Sequence, residues 1–163
     1  MDAPRLRVLV ERVQALGYVV AELGPESDGA VAALEAANRA DYPGGPTTAP
    51  AVRTAASLAA DRESGTRWFG ALLEEELVAA TAILVEGGRG ETGTTSVAAA
   101  HRGRGLAQAV KAASVLALAA EGVVLFGTGG ADENAASLAM NARLGYEVTE
   151  RWLTLVHGSG PFG

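Results

Sequence analysis

The stretch HRGRGLA, residues 101–107, gathers His101, Arg102 and Arg104 around Gly103 and Gly105, and an apolar-striped run begins at Leu106. Residue types in this order suit an anion. The first N–H groups of a helix have no internal partner and point outward, and with the helix dipole they favour negative charge. Gly103 and Gly105 let the backbone approach a bulky phosphate with no Cβ in the way. Arg102 and Arg104 add charge-assisted hydrogen bonds, roughly 1.5–3 kcal/mol each when well formed. The same residues would also serve as a solvated loop with a glycine hinge, and local composition does not separate the two.

Two common phosphate sites are excluded by pattern. No Gly-x-x-x-x-Gly-Lys-Ser/Thr run occurs, so there is no P-loop. GTGGAD, residues 127–132, imitates a dinucleotide fingerprint, but Asp132 stands where the third glycine belongs. A carboxylate there reads as an N-cap and would repel phosphate. The unit also comes too late in the chain for a doubly wound sheet to follow.

The elements that must position the loop follow from periodicity. Residues 4–16 carry an apolar stripe and predict a helix ending at Gly17; residues 18–23 (YVVAEL) predict a strand. A second helix is predicted from Ser27 or Asp28 to about Arg39, then the loop DYPGGPTTAP, then a third helix from Thr47 or Thr48 to about Arg62. Residues 67–86 read as a hairpin turning at residues 74–76, the alternative being a single helix rich in Ala, Leu and Glu. A turn at residues 87–90 and an extended Thr-rich segment at 91–99 lead to the basic loop. A helix from Leu106 to about Glu121, a strand at 123–128, a helix at 132–145 and a strand at 146–156 complete a mixed α/β order.

The 163 residues suit one domain, and a formal net charge of −6 argues against a nucleic-acid binder or a polybasic membrane anchor. There is no cysteine and there are two histidines, which exclude thiolate chemistry and a multi-histidine metal centre. Charged residues interrupt the N-terminal segment, so no signal peptide is expected, and no run reaches the roughly 20 apolar residues that span a bilayer. A cytoplasmic location is the expectation.

Residues 92–146 resemble the GNAT superfamily of N-acetyltransferases. The sequence Arg102-Gly103-Arg104-Gly105-Leu106-Ala107 matches that family's Arg/Gln-x-x-Gly-x-Gly/Ala signature, and NAASLAMNARLGY supplies a second block with Asn134, Leu144, Gly145 and Tyr146. RADYPGGPTT and HRGRGLAQAVK look closest to the mycothiol-synthase-like tandem group. The resemblance implies a mixed α/β (α+β) fold, with antiparallel N-terminal strands and the fourth and fifth strands splayed around acetyl-CoA. It would be a single domain over 1–163, with residues 1–17 as an extra N-terminal helix. It implies acetyl-CoA as acyl donor, with its pyrophosphate on the amides of residues 103–107. Its pantetheine arm would lie on backbone groups of Val97 and Ala99, the Val97 N–H polarising the thioester carbonyl. Asn134 would contact the pantetheine, or make a local first-turn hydrogen bond. Tyr42 would line the acceptor pocket.

Transfer of acetyl to an amine needs a proton acceptor for the amine and a donor for the developing oxyanion. Glu91 occupies a place similar to the base glutamate of histone-type members, and an extended strand would set Glu91, Gly93, Thr95 and Val97 on one face; its other reading is a solvated strand end. Asn141 stands where the family often carries a tyrosine acid, and asparagine donates no proton. The expected activity is transfer of acetyl to an amine of a small molecule or peptide, the alternative a non-catalytic acyl-CoA-binding module. No metal is expected. The last strand runs into HGSGPFG without a clear partner strand, which leaves a homodimer-completed edge open.

Overall fold

A computed structural model of the chain describes residues 2–39, 53–129 and 135–151. Helix α1 (Ala3–Gln14) starts where the Asp2 side chain accepts the Arg5 N–H at 3.1 Å, with Pro4 in the first turn. Its buried Leu6 and Val13 pack on α4 (Leu106–Ala120). Strand β1 (Tyr18–Leu23) leads through a short 3₁₀ turn into α2 (Asp28–Asn38).

Helix α3 (Ala55–Glu63) begins later than the sequence suggests. Thr54 is extended, and its hydroxyl accepts the Ser57 N–H while the Ser57 hydroxyl accepts the Thr54 N–H. This capping box fixes the first turn of α3 at Thr54; Thr47 and Thr48, the expected caps, lie outside the described residues. Arg62 then pins α3 to the end of β1, donating to Asp28 Oδ1 (2.8 and 2.9 Å) and to the carbonyls of Leu23 (2.9 Å) and Gly24 (3.0 Å).

Strands β2 (Thr66–Leu73) and β3 (Glu76–Glu86) form the expected hairpin, not one helix. Its middle is buried on both faces: Trp68, Phe69, Ala71, Val78, Ala79, Ala80 and Ala82 are almost fully covered. Alanine favours helix in isolation, but here its small side chain lets helices approach both faces of the sheet. Strand β4 (Arg89–Val97) pairs antiparallel with β3, and β5 (Leu125–Thr128) pairs parallel with β4. The sheet order is β1-β2-β3-β4-β5. One face, including Ala71, Ala79 and Ile83, lies under α1 and α4; the other, including Trp68, Ala80 and Ala82, lies under α2 and α3.

Helix α5 (Ala135–Arg143) follows β5, and Leu144 seals it against Leu6, Ala112 and Val115. The expected strand at 146–156 does not form over residues 146–151, and its remainder lies outside the described residues. The mixed α/β class, with antiparallel strands followed by a parallel β4–β5 pair, is as the sequence implies.

Candidate active site

The site is a fork between two strands. Pairing of β4 with β5 stops at Thr92–Thr128. Opposite Ala82 and Ile83, strand β4 holds one residue too many: Ile83 faces Thr92 and Ala82 faces Thr94, which leaves Gly93 in a bulge. Among the described residues, β4 from residue 93 to residue 97 has a strand partner only on the β3 side. The Ala98 N–H reaches Val78 O at 2.8 Å, which makes Ala79–Val97 a non-hydrogen-bonded pair. The N–H and C=O of Val97 are therefore turned away from β3, toward the fork. This free edge is roughly 13 Å long at about 3.3 Å per residue. It borders a cleft of about 700 Å³, lined by residues 92–97, His101, Arg102, Gly103, residues 105–108, Lys111, Thr128 and parts of α5.

The basic loop closes one end of the cleft. Gly103 (φ +76°) and Gly105 (φ +84°) both occupy the left-handed region, where a Cβ is strained. Gly105 is the N-cap of α4 and its carbonyl accepts the Ala109 N–H at 3.0 Å, but no side chain caps this helix. Among the described residues, nothing accepts the main-chain N–H groups of residues 103–107. They stand at the positive end of a 15-residue helix, facing an open groove.

Both guanidinium groups have partners within the chain. Arg102 donates to Val97 O (3.1 Å) and Asn38 Oδ1 (2.7 Å), so it braces the end of β4 against the end of α2 at the cleft wall. Arg104 points away from the cleft and donates to the Tyr18 hydroxyl at 2.8 Å. Tyr18 is buried and lies 2.9 Å from His101 Nδ1. Arg104 can only donate, so the Tyr18 oxygen accepts from it, and the same hydroxyl shares a hydrogen bond with His101 Nδ1.

The other sequence candidates are placed as follows. Val97 lines the cleft, but Ala99 does not: β4 ends at Val97 and the chain turns at Ala99–His101, the Ala99 carbonyl taking the Arg102 N–H. Glu91 pairs with Leu84 and with Gly127, one residue before the fork, and its carboxylate is 3.0 Å from Arg89. The bulge reverses the alternation of side chains after Thr92, so Glu91 does not share a face with Thr95 and Val97. It lies on the face opposite α4, outside the cleft lining. Tyr42 and Asn134 lie outside the described residues.

The residue that sequence reasoning missed is Lys111. It is 2 % exposed, and its Nζ donates to Asn141 Oδ1 at 2.7 Å and to Thr128 Oγ1 at 3.1 Å, at the apex of the fork. The Tyr146 ring centre is 5.3 Å away. Burial lowers its pKa to about 8, against an opposing pull from Glu91. The signal was in the sequence: Lys111 is the chain's only lysine, and the only charged residue in LAQAVKAASVLALAA. Beside it, the hydroxyls of Thr92 and Tyr146 are buried and near each other, and among the described residues neither makes a hydrogen bond of normal geometry. Burial raises the Tyr146 phenol, and the Thr92 hydroxyl opposes that rise. On the opposite face, Glu35 of α2 accepts from the Thr94 hydroxyl (3.1 Å) and pairs with Arg53 (3.1 Å). Burial pushes its carboxyl up, and Arg53 counters this.

Among the described residues, no group of three or more His, Asp or Glu side chains is placed to hold a metal ion, and no helix is long and apolar enough to cross a membrane. No curated protein sequence matches the chain. Solved structures share its fold. The ribosomal-protein-S18-alanine N-acetyltransferase of Escherichia coli superposes with a TM-score of 0.67 at 16% identity, over 81% of this chain and 79% of that one. An aminoglycoside acetyltransferase, meta-AAC0020, from an uncultured soil metagenomic sample gives 0.70 at 11% identity, over 89% and 98%. The aminoglycoside N-acetyltransferase AAC(6')-Iy, solved with CoA, gives 0.61 at 18% identity, over 86% and 94%. A family model described as the acetyltransferase (GNAT) family matches residues 31–146, from within α2 to Tyr146, and so takes in the fork, the glycine loop and the N-terminus of α4. The chain belongs to the acetyltransferase (GNAT) family.

Proposed function

We propose that the chain is an acetyl-CoA-dependent N-acetyltransferase, a single domain with residues 1–17 as an added N-terminal helix, acting on an amine of a small molecule or peptide. One observation carries this reading: the free amides of residues 103–107 and the unpaired edge of β4 border the same cleft. A ligand with a diphosphate at one end and an extended amide-bearing arm satisfies both, and acetyl-CoA has that form. The diphosphate lies on the α4 N-terminus. The arm pairs with β4; the Val97 N–H, at the loop end of the free edge, donates to an amide carbonyl of the arm, and the thioester lies at the other end, by the fork. Arg102 holds the carbonyl end of β4 in place. Acetyl-CoA supplies the activated acetyl group; no covalent enzyme intermediate is required, which suits a chain without cysteine.

The acceptor approaches from the sheet face opposite α4, where Glu91 stands beside the fork. There Glu91 takes the proton that the amine must lose. The AAC(6')-Iy relative solved with a CoA bisubstrate analogue and the S18-alanine relative suggest the acceptors to try first. The net charge of −6 favours a cationic acceptor.

The test is thermal melting with CoA, acetyl-CoA, NAD and ATP, followed by thiol release from acetyl-CoA over aminoglycosides and peptides with N-terminal alanine. A ligand at about 100 times its Kd adds roughly 2.7 kcal/mol. Stabilisation by CoA and acetyl-CoA with amine-dependent thiol release is expected. Stabilisation by NAD or ATP and none by CoA would overturn the reading. CoA binding without thiol release would favour a non-catalytic acyl-CoA-binding module, the role that Asn141 in place of a tyrosine also fits.

A further inference from the structure

The mechanism so far gives the amine's proton a destination but leaves the departing thiolate without a source of one, because Asn141 cannot supply it. An arm anchored at residues 103–107 and laid along the free edge of β4, as proposed above, would end near Thr92 and Thr128, where the strands rejoin, and two observations meet there. Two buried hydroxyls there, of Thr92 and Tyr146, lie close to each other and make no hydrogen bond of normal geometry among the described residues. Lys111, the chain's only lysine, places its Nζ at the same point, held by Asn141 and Thr128. We propose that Lys111 is the catalytic acid of the transfer, its ammonium group donating to the coenzyme sulfur as the thioester breaks, with Asn141 and Thr128 as positioning residues. This rests on the acetyl-CoA reading above.

The step balances. The amine nitrogen attacks the thioester carbonyl, the C–N bond forms, and the C–S bond breaks with its electron pair going to sulfur. A proton from Lys111 Nζ passes to that sulfur, giving free CoA thiol and a neutral lysine. The amine's own proton leaves to Glu91 or water, and solvent returns one to Lys111. An arginine could not serve, because it does not release its proton in this range. A lysine lowered to about 8 gives up its proton far more readily than an ordinary lysine, as an acid for a thiolate leaving group should. The other titratable groups around it are Glu91 on β4 and Tyr146 after α5, while His101, Arg102 and Arg143 line the same cleft.

The experiment follows the thiol of bound CoA by its thiolate absorbance against pH, with desulfo-CoA as blank, in the wild type and in Lys111→Met. The bound thiol should ionise at least about tenfold more readily, one pKa unit, beside Lys111 than beside methionine. A second measurement needs no variant. Isotope-labelled lysine gives one side-chain NMR signal, and its titration should move to higher pH with CoA bound than with desulfo-CoA bound. CoA that binds but titrates alike in both proteins, or leaves the lysine signal indifferent to the sulfur, would overturn the role of Lys111 while sparing the acetyl-CoA reading. Failure of the wild type to bind CoA at all would overturn both.

Discussion

Lys111 should leave a signature in folding stability that needs no ligand. In the folded chain its pKa is lowered to about 8 by burial, and in an unfolded chain it returns to the ordinary 10.5. Between those values the unfolded state binds more protons than the folded one, so stability rises with pH. Below pH 8 folding must hold a buried ammonium, at a cost of about 3 kcal/mol relative to the neutral amine. That cost fades as pH climbs from 8 and has largely gone above about 10.5. From pH 7 to 9 the wild type should gain about 1 kcal/mol from this group alone. Lys111→Met has no such group. It also leaves buried Asn141 without its donor, an offset of roughly 1–3 kcal/mol that does not depend on pH. Urea unfolding of both proteins at pH 7, 8 and 9 separates the two effects. The wild-type stability minus that of the variant should climb by about 1 kcal/mol across the series, whatever the offset. No second lysine exists to confuse the result. A difference that stays level would mean that Lys111 does not titrate there, and the electrostatic description of the fork would be wrong.

Three further substitutions probe separate parts of the structure. Gly103→Ala meets no atom within 4 Å, so its cost is the left-handed backbone alone, about 1–2 kcal/mol in thermal or urea unfolding, with weaker CoA binding by calorimetry; unchanged stability and affinity would contradict the loop conformation. Arg62→Ala leaves Asp28, 5 % exposed, without its guanidinium, and should cost roughly 3–5 kcal/mol; a loss under about 1 kcal/mol, ordinary for surface pairs, would show that the bridge is not buried. Glu91→Gln should lower turnover by about a hundredfold or more while leaving CoA affinity unchanged; full turnover would remove Glu91 from the mechanism.

Much of this was legible in the sequence because the signals were local. The Gly17 and Gly122 stops, the stripe of α4 and the β2–β3 hairpin all came from periodicity and turn chemistry, and the glycine loop announced a helix mouth with free amides. What stayed hidden depended on register and packing. The bulge at Gly93 moves Glu91 off the face of Thr95 and Val97, and nothing in ETGTTSV marks where the ladder slips. Arg104 reads as an anion ligand until Tyr18, 86 positions away, supplies a closer partner. Thr54 caps α3, and the Ser57 three residues on decides for it. Lys111 was overlooked because a lone charge on an apolar helix looks like its solvent face, whereas α4 is covered by the sheet on one side and α1 on another.

The central claim is that the main-chain donors of residues 103–107 hold the diphosphate of CoA. Amide NMR of the full chain during a CoA titration tests it most directly. Saturable binding with the largest shifts at those residues and along β4 is the expected result; CoA that fails to bind, or binds and leaves those amides unmoved, would contradict it.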